Sequence, residues 1–295
     1  MTTLHAPSRI ALKNILLTTD FTRASGAALP YAQAFIKLYG ATLVVAHVVQ
    51  SEPHRMMVLD RLPAQDDQAL EDARMKLLEF AQLEGLERKD YQPRVKQGEL
   101  DVVVEELIQE NEIDLVVLGT HGRRGLKKLV MGSGAETIYR TATCPVLTIG
   151  PAARPLDGGP WKIQRILFPV DLSEGTAPAL PFALSLAEEN EAALILLNAQ
   201  PMVPWQHRPS VEHSARERMI GMIPAEAADW CQPEAVVRWE DAPEAIEQYA
   251  AQEAIDLVVM GVKRTDSARL SSHRPWPVAC EVVSRAPCPV LTVRI

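Results

Sequence analysis

Four cysteines are all that this 295-residue chain carries, and no two of them form a CxxC pair. Cys144 and Cys288 each open a Cys-Pro-Val run before an apolar strand, where buried free thiols are expected. Zinc could be imagined on His207, His213, His273 and Cys280, but no pair has i, i+4 or CxxC spacing, so scattered surface histidines and no metal site are expected. No apolar run approaches the roughly 20 residues that a membrane span needs. The opening "MTTLHAPSRIALKN" lacks the apolar core of a secretion signal, so the expectation is a cytoplasmic protein with no membrane partner. Basic side chains are not in surplus either. With 30 Lys and Arg against 38 Asp and Glu, the net charge is −8, which argues against nucleic acid as a partner. No GxxxxGK[ST] loop occurs, and no glycine fingerprint follows the first strand.

What the chain does have is a repeat of itself. "KNILLTTDFTRASGAALPYAQAFIKLYGATLVVAHVV" from residue 13 is answered by "QRILFPVDLSEGTAPALPFALSLAEENEAALILLNAQ" from residue 164. Each reads as an apolar strand ending in Asp, a Ser/Thr-bearing turn, a helix with Ala-Leu-Pro, and a second apolar strand. Later, "EIDLVVLG" matches "AIDLVVMG", and "ATCPVLTI" matches "APCPVLTV". The Pro- and Gly-rich "GPAARPLDGGPWK" lies between the copies and reads as a linker. Two domains follow, 1–150 and 163–295, joined by residues 151–162.

Within the first copy, strands are expected near 15–19, 42–49, 91–97, 115–119 and 146–150. Helices are expected near 24–39, 66–84, 100–111 and 133–142. In the second of these helices, "DARMKLLEFAQLEG" spaces Met75, Leu78 and Leu83 at near-helical intervals and closes at Gly85. The continuous β-branched runs suit strands covered on both faces. The fold class is therefore α/β, with two tandem doubly wound domains, each a five-stranded parallel sheet. In the second copy the helix near 209–229 is the least regular, interrupted by Gly221 and Pro224.

Ligands of such sheets sit at the carboxyl ends of the strands, where Asp20 and Gly119 fall. After the strand "DLVVLG" comes "GTHGRRGLKKLVMGSGAETI", with the spacing Gly119-x2-Gly122-x9-Gly132-Ser133. Gly119 and Gly122 allow a sharp turn and a close backbone approach. Ser133, with Glu136 three residues on, has the form of a capping box opening a helix. The free N–H groups at that helix start make a phosphate site, and Arg123, Arg124, Lys127 and Lys128 add positive potential. A plain glycine-rich turn is the competing reading.

These residues together resemble the universal stress protein family, in its ATP-binding subgroup, and the likeness spans nearly the whole chain. The resemblance implies a Rossmann-like sheet of five parallel strands of the adenine-nucleotide hydrolase kind, pairing of domains through their last strands into an intramolecular pseudo-dimer, and adenine nucleotide binding, with ATP and Mg2+ as the cofactor. It places Asp20, with Thr18 and Thr19, beside the adenosine, and Ala46 and His47 on the strand flanking the adenine. Gly119, His121, Gly122 and Arg123 fall on the ribose and phosphate loop, and Gly132, Ser133, Gly134 and Ala135 on the phosphate-gripping helix start. Asp20 also reads as a helix N-cap, and His47 as a structural histidine that meets a ligand only through its backbone.

The second copy keeps Asp171 and Gly261, but Arg264 stands where the second glycine would be and Trp276-Pro277 replaces Gly-Ser. Pro277 removes a helix-start N–H, so weak or absent ATP binding is expected there. The leading functional expectation is a cytoplasmic stress-response protein that binds ATP in its first half and regulates an unidentified protein partner, as a homodimer. The alternatives are slow ATP hydrolysis and a structural pairing module with a different ligand in the second half.

Overall fold

The structure is a computed structural model that describes residues 10–50, 64–120, 133–156, 159–172, 177–262 and 278–294. Residues 11–147 among these form one compact unit; residue 10 and those from 148 onward form another.

The first half runs β1 (Asn14–Thr18), α1 (Arg23–Gly26), α2 (Leu29–Tyr39), β2 (Thr42–Gln50), α3 (Ala64–Leu83), β3 (Tyr91–Gly98), α4 (Leu100–Glu110), β4 (Leu115–Gly119), α5 (Ser133–Thr141) and β5 (Val146–Ile149). The strands lie in the order β3-β2-β1-β4-β5. The β1–β2, β2–β3 and β1–β4 pairs are parallel, with Leu16 opposite both Val44 and Val116. Parallel strands need crossovers, and the helices provide them. Ile15, Leu16 and Leu17 are all fully buried, as expected when helices cover both faces. One face packs Leu16, Val44, Val116 and Leu118 against Val103, Val104 and Leu107 of α4 and Ile138 of α5.

The expected single helix near 24–39 is two pieces, α1 and α2, with Ala28 buried at the join and Pro30 in the first turn of α2, where a missing N–H costs nothing. In α3 the buried side chains are Ala73, Leu77, Phe80 and Ala81, an i, i+4, i+7, i+8 stripe. Met75, Leu78 and Leu83, which the sequence spaces attractively, lie on the outer side and are exposed. Gly85 follows the helix with φ 76°, a left-handed conformation suited to glycine.

The second half repeats the pattern: β6 (Arg165–Pro169), α6 (Leu180–Asn190), β7 (Ala193–Ala199), α7 (Arg208–Ile220), α8 (Ala228–Cys231), β8 (Glu234–Arg238), α9 (Ala242–Gln252), β9 (Leu257–Val262), α10 (Val278–Arg285) and β10 (Val290–Arg294). Its strand order is β10-β9-β6-β7-β8, with parallel pairing of β6 to β7 and β9, β7 to β8, and β9 to β10. The helix expected near 209–229 ends at Ile220, and Met222 and Ile223 close turns back onto Met219 and Ile220 before α8. Between the repeats, Arg154 is fastened by its backbone N–H and Nε to the Pro287 carbonyl and by its outer nitrogen to the Ile255 carbonyl.

One carboxylate in each half fixes the start of the central strand. Asp114 Oδ2 accepts the backbone N–H groups of Lys13 and Asn14 at 2.7 and 3.0 Å. Asp256 Oδ2 accepts those of Gln164 and Arg165 at 2.8 and 2.9 Å. The repeated Ile-Asp-Leu-Val-Val therefore carries a structural acid as well as a buried strand. Among the described residues no helix is long and apolar enough to cross a membrane. Also among them, no three His, Cys, Asp or Glu come together as a metal would require.

Candidate functional site

The chain leaves β1 toward β2 and leaves β4 toward β5, in opposite directions across the sheet. The carboxyl ends of β1 and β4 are thus the topological switch point, where a crevice opens between diverging connections. Thr19 and Asp20 stand at one of these ends, and Gly119 and Thr120 at the other.

The turn after β1 is built from backbone geometry. Phe21 has φ 62°, a left-handed conformation uncommon for a residue of its size. It is held by a line of hydrogen bonds. The Phe21 N–H donates to Thr19 Oγ1 at 2.9 Å, the Thr19 hydroxyl lies 2.9 Å from Ser25 Oγ, and the Ser25 hydroxyl donates to the Thr22 carbonyl at 2.8 Å. Since the Ser25 proton goes to Thr22, Thr19 is the donor in the hydroxyl pair. Both hydroxyls are buried, so each needs these partners. Asp20, exposed at the turn, accepts the Thr22 N–H (3.1 Å) and hydroxyl on one carboxylate oxygen. The N-cap position of α1 is Thr22, so Asp20 braces the turn ahead of the helix and does not cap it.

β2 contributes Ala46 and His47. The Ala46 carbonyl accepts the Thr19 N–H at 2.9 Å, and its side chain is buried. His47 is half-buried, with Nδ1 2.8 Å from the Thr19 carbonyl, which makes Nδ1 the protonated nitrogen of the neutral ring. The ring stacks on Phe21, centroids 4.1 Å apart, and Phe21 in turn meets Phe80 of α3 at 6.2 Å. Burial holds the His47 pKa below its usual value. The Thr19 carbonyl and the Asp20 carboxylate act against that, and Lys76 of α3 adds to it.

Gly119 ends β4 for a reason of its own. A Cβ there would lie 1.9 Å from the Ala24 carbonyl oxygen, so the backbone of α1 occupies the space a side chain would need. The closeness serves the packing of α1 on the sheet whether or not a ligand is present. In α5, a Cβ on Gly134 would lie 3.3 Å from Leu100, and Ala135 packs partly buried against the core. The helix starts at Ser133, as expected, with Glu136 in its first turn.

The structure thus brings Thr18, Thr19, Asp20, Ala46 and His47 together at adjoining strand ends, with Gly119 at the end of the next strand. His121, Gly122, Arg123 and Gly132, together with Arg124, Lys127 and Lys128, lie outside the described residues, as does the Ser133 side chain. Phe21, Thr22 and Ser25 were not singled out from sequence, although they build the turn. Their signal was the repeated Asp followed by a large apolar residue, seen again in Asp171-Leu172.

At that second turn the Val170 N–H donates to the Leu197 carbonyl at 2.8 Å, and Leu172 has φ 57°. Asn198 Nδ2 donates to the Val170 carbonyl at 2.6 Å, and its Oδ1 accepts from Gln200 at 2.5 Å. An Arg218 guanidinium from α7 donates to the Leu172 carbonyl at 2.8 Å. Arg264, Trp276 and Pro277 lie outside the described residues. Of the residues weighed for zinc, His207 and His213 are exposed near the start of α7 and Cys280 is buried in α10.

Comparison with known proteins agrees with this architecture. The profile of the universal stress protein family matches residues 11–150 and again residues 162–294. Universal stress protein A homolog 1 of Coxiella burnetii is 33% identical over 144 residues, covering 46% of this chain and 95% of its own length. A universal stress protein of Methanocaldococcus jannaschii is 22% identical over 155 residues, covering 48% of this chain and 96% of its own. The crystal structure of a universal stress protein from Archaeoglobus fulgidus superposes over 95% of this chain and 98% of that one, with a TM-score of 0.68 and 18% identity. With both halves matched by the profile, the chain belongs to the universal stress protein family.

Proposed function

We propose that the first half binds an adenine nucleotide, ATP with Mg2+, across the carboxyl ends of β1, β2 and β4, and that the protein acts as a nucleotide-dependent regulator in a cytoplasmic stress response. The observation that carries this is the turn after β1. A buried relay from Thr19 to Ser25 fixes Phe21 in a left-handed conformation and leaves the Asp20 carboxylate exposed at the switch point of the sheet. An exposed acid suits a ribose diol, and crevices at switch points suit nucleotides.

The described residues suit the adenosine end of such a group. Thr18, Thr19 and Asp20 form the wall beside the adenosine, and Ala46 and His47 flank the base from β2. The ribose and phosphates are assigned to His121, Gly122 and Arg123, which follow Gly119 in sequence, and to Gly132 with Ser133, Gly134 and Ala135 of α5. N–H groups free at a helix start, with its partial positive charge, attract phosphate oxygens. Mg2+ bound with the nucleotide would offset part of the phosphate charge. In the second half, Arg264 and Pro277 stand against phosphate binding, so one nucleotide per chain is the reading, with a homodimer presenting it to a protein partner.

Calorimetric titration of the nucleotide-free protein with Mg-ATP tests this. The expected result is one site per chain, abolished by Gly132→Val. No heat, together with a melting temperature unmoved by millimolar Mg-ATP, would end the nucleotide reading. Two sites per chain would end the asymmetric one.

A further inference from the structure

The two halves prop their strand-end turns with different side chains at the same place. In the first half His47 Nδ1–H reaches the carbonyl of Thr19, the residue before Asp20. In the second, Asn198 Nδ2–H reaches the carbonyl of Val170, the residue before Asp171. His47 and Asn198 each follow by one residue the second-strand carbonyl that accepts the Thr19 or Val170 N–H. In each half the residue after the Asp has positive φ. An imidazole and a carboxamide share little except a planar N–H placed the same distance from the backbone, so what the repeat has kept is the donor.

We infer that His47 is a positioning residue for the nucleotide site, its ring N–H and ring face holding the Thr19–Phe21 turn in the shape that presents Asp20, and that an asparagine can take over the N–H part of that role. The inference rests on the nucleotide reading above for its effect on affinity, but not for its effect on the turn.

The surroundings leave the ring little else to do. It is held between the Phe21 ring, stacked at 4.1 Å, and the Thr19 carbonyl. The charged groups that act on it are Asp20 from the turn and Lys76 from α3. On β3 its partner across the pair is Val95. The flanking Arg94 and Lys96 project to the opposite face, where they meet Asn111 and the Glu106 and Glu110 carboxylates of α4. The Thr19 carbonyl sits at the end of β1, past the last strand pair with β2, so without His47 it loses the side-chain donor that fixes the peptide plane before Asp20. A buried acceptor stripped of its partner reorients or pays its full desolvation cost.

The test compares the full-length protein with His47→Leu and His47→Asn by Mg-ATP calorimetry, and by amide hydrogen exchange at Phe21 and Thr22. Leucine should lower affinity about tenfold, the loss of one hydrogen bond of ordinary strength, and speed exchange at both amides. Asparagine should restore affinity to within about threefold and restore slow exchange. If leucine binds like the unsubstituted protein, or asparagine binds as weakly as leucine while circular dichroism shows both folded, the inference is overturned. Should the leucine variant fail to fold, His47→Gln replaces it, since glutamine keeps the amide but carries it one methylene too far. If the unsubstituted protein takes up no nucleotide, the functional proposal falls, and exchange at Phe21 and Thr22 alone decides the prop. Unchanged exchange in the leucine variant would then overturn it.

Discussion

The turn after β1 and the turn after β6 have the same backbone and different chemistry. Each follows its strand with one buried residue, Thr19 or Val170, then Asp, then a large apolar residue at positive φ, and each is propped from the second strand. Around that frame nearly every polar choice differs. Thr19 feeds a buried hydroxyl relay, whereas Val170 has no hydroxyl to give. Phe21 stacks on His47, whereas the Leu172 carbonyl is taken by Arg218 reaching over from α7. The frame is therefore a property of the fold, and the nucleotide chemistry proposed for the first copy would be a separate layer laid over it. An arginine closing on the second turn also agrees with the proposal that the second half takes no nucleotide.

The comparison breaks most sharply at Gly119. Substitution to Ala places a methyl 1.9 Å from the Ala24 carbonyl oxygen, a backbone atom, with no flexible side chain to yield. Overpacking of this kind should cost about 3 kcal/mol, read as a lower urea midpoint in the absence of any nucleotide. Stability left intact would mean that α1 moves freely, and the glycine would then have to be explained by a ligand. Next in size are the paired acids. Asp114→Ala and Asp256→Ala each strand two backbone N–H groups and should each cost about 2 kcal/mol. Losses that differ strongly between the two, measured by denaturant unfolding, would show that the repeat is not energetic as well as geometric.

Thr19→Val makes the first turn copy the second at one atom. It leaves the Phe21 N–H and the Ser25 hydroxyl short of a partner each, where Val170 has been accommodated by its own surroundings. About 1 kcal/mol should be lost, with exchange at the Phe21 amide accelerated. No loss would mean that the relay is an accompaniment of the turn and not its cause.

Much of this was legible beforehand, for identifiable reasons. The β-branched runs named the strands because buried parallel strands tolerate little else, and the repeat doubled every signal. α3 was read in place, but the residues whose spacing marked it, Met75, Leu78 and Leu83, are exposed, and its buried stripe includes two alanines, Ala73 and Ala81, which hydrophobic pattern weighs lightly. The break between α1 and α2 was hidden by an unbroken run of small residues. At the candidate site, Asp20 and Gly119 stood out by type and place. Phe21, Thr22 and Ser25 did not, since the hydroxyl relay depends on a left-handed residue that no side-chain preference announces. Gly119 was read as room for a ligand, and the packing of Ala24 supplies a second reason that only coordinates reveal.

The smallest expected effect separates the two props by charge, since a histidine titrates and an asparagine does not. Burial lowers the His47 pKa in the folded protein below its unfolded value of about 6.5. Above that value the ring is neutral in both states and pH has no hold on stability through it. As pH falls through 6.5, the unfolded chain takes up the proton first, so the balance moves toward unfolding. The decline continues until the folded protein is protonated as well, and it stops there. His47→Asn lacks this group, so the stability of the unsubstituted protein relative to the variant should fall as pH is lowered from 7.5 toward 5 and stay level above 7. Asp20 works against the decline by favouring the charged ring, and Lys76 works with it. Thermal melts of both proteins across that range read the difference directly. A gap that widened in favour of the histidine at low pH would mean that the Thr19 carbonyl and Asp20 together outweigh burial, and the ring would then be a charged prop and not a neutral one.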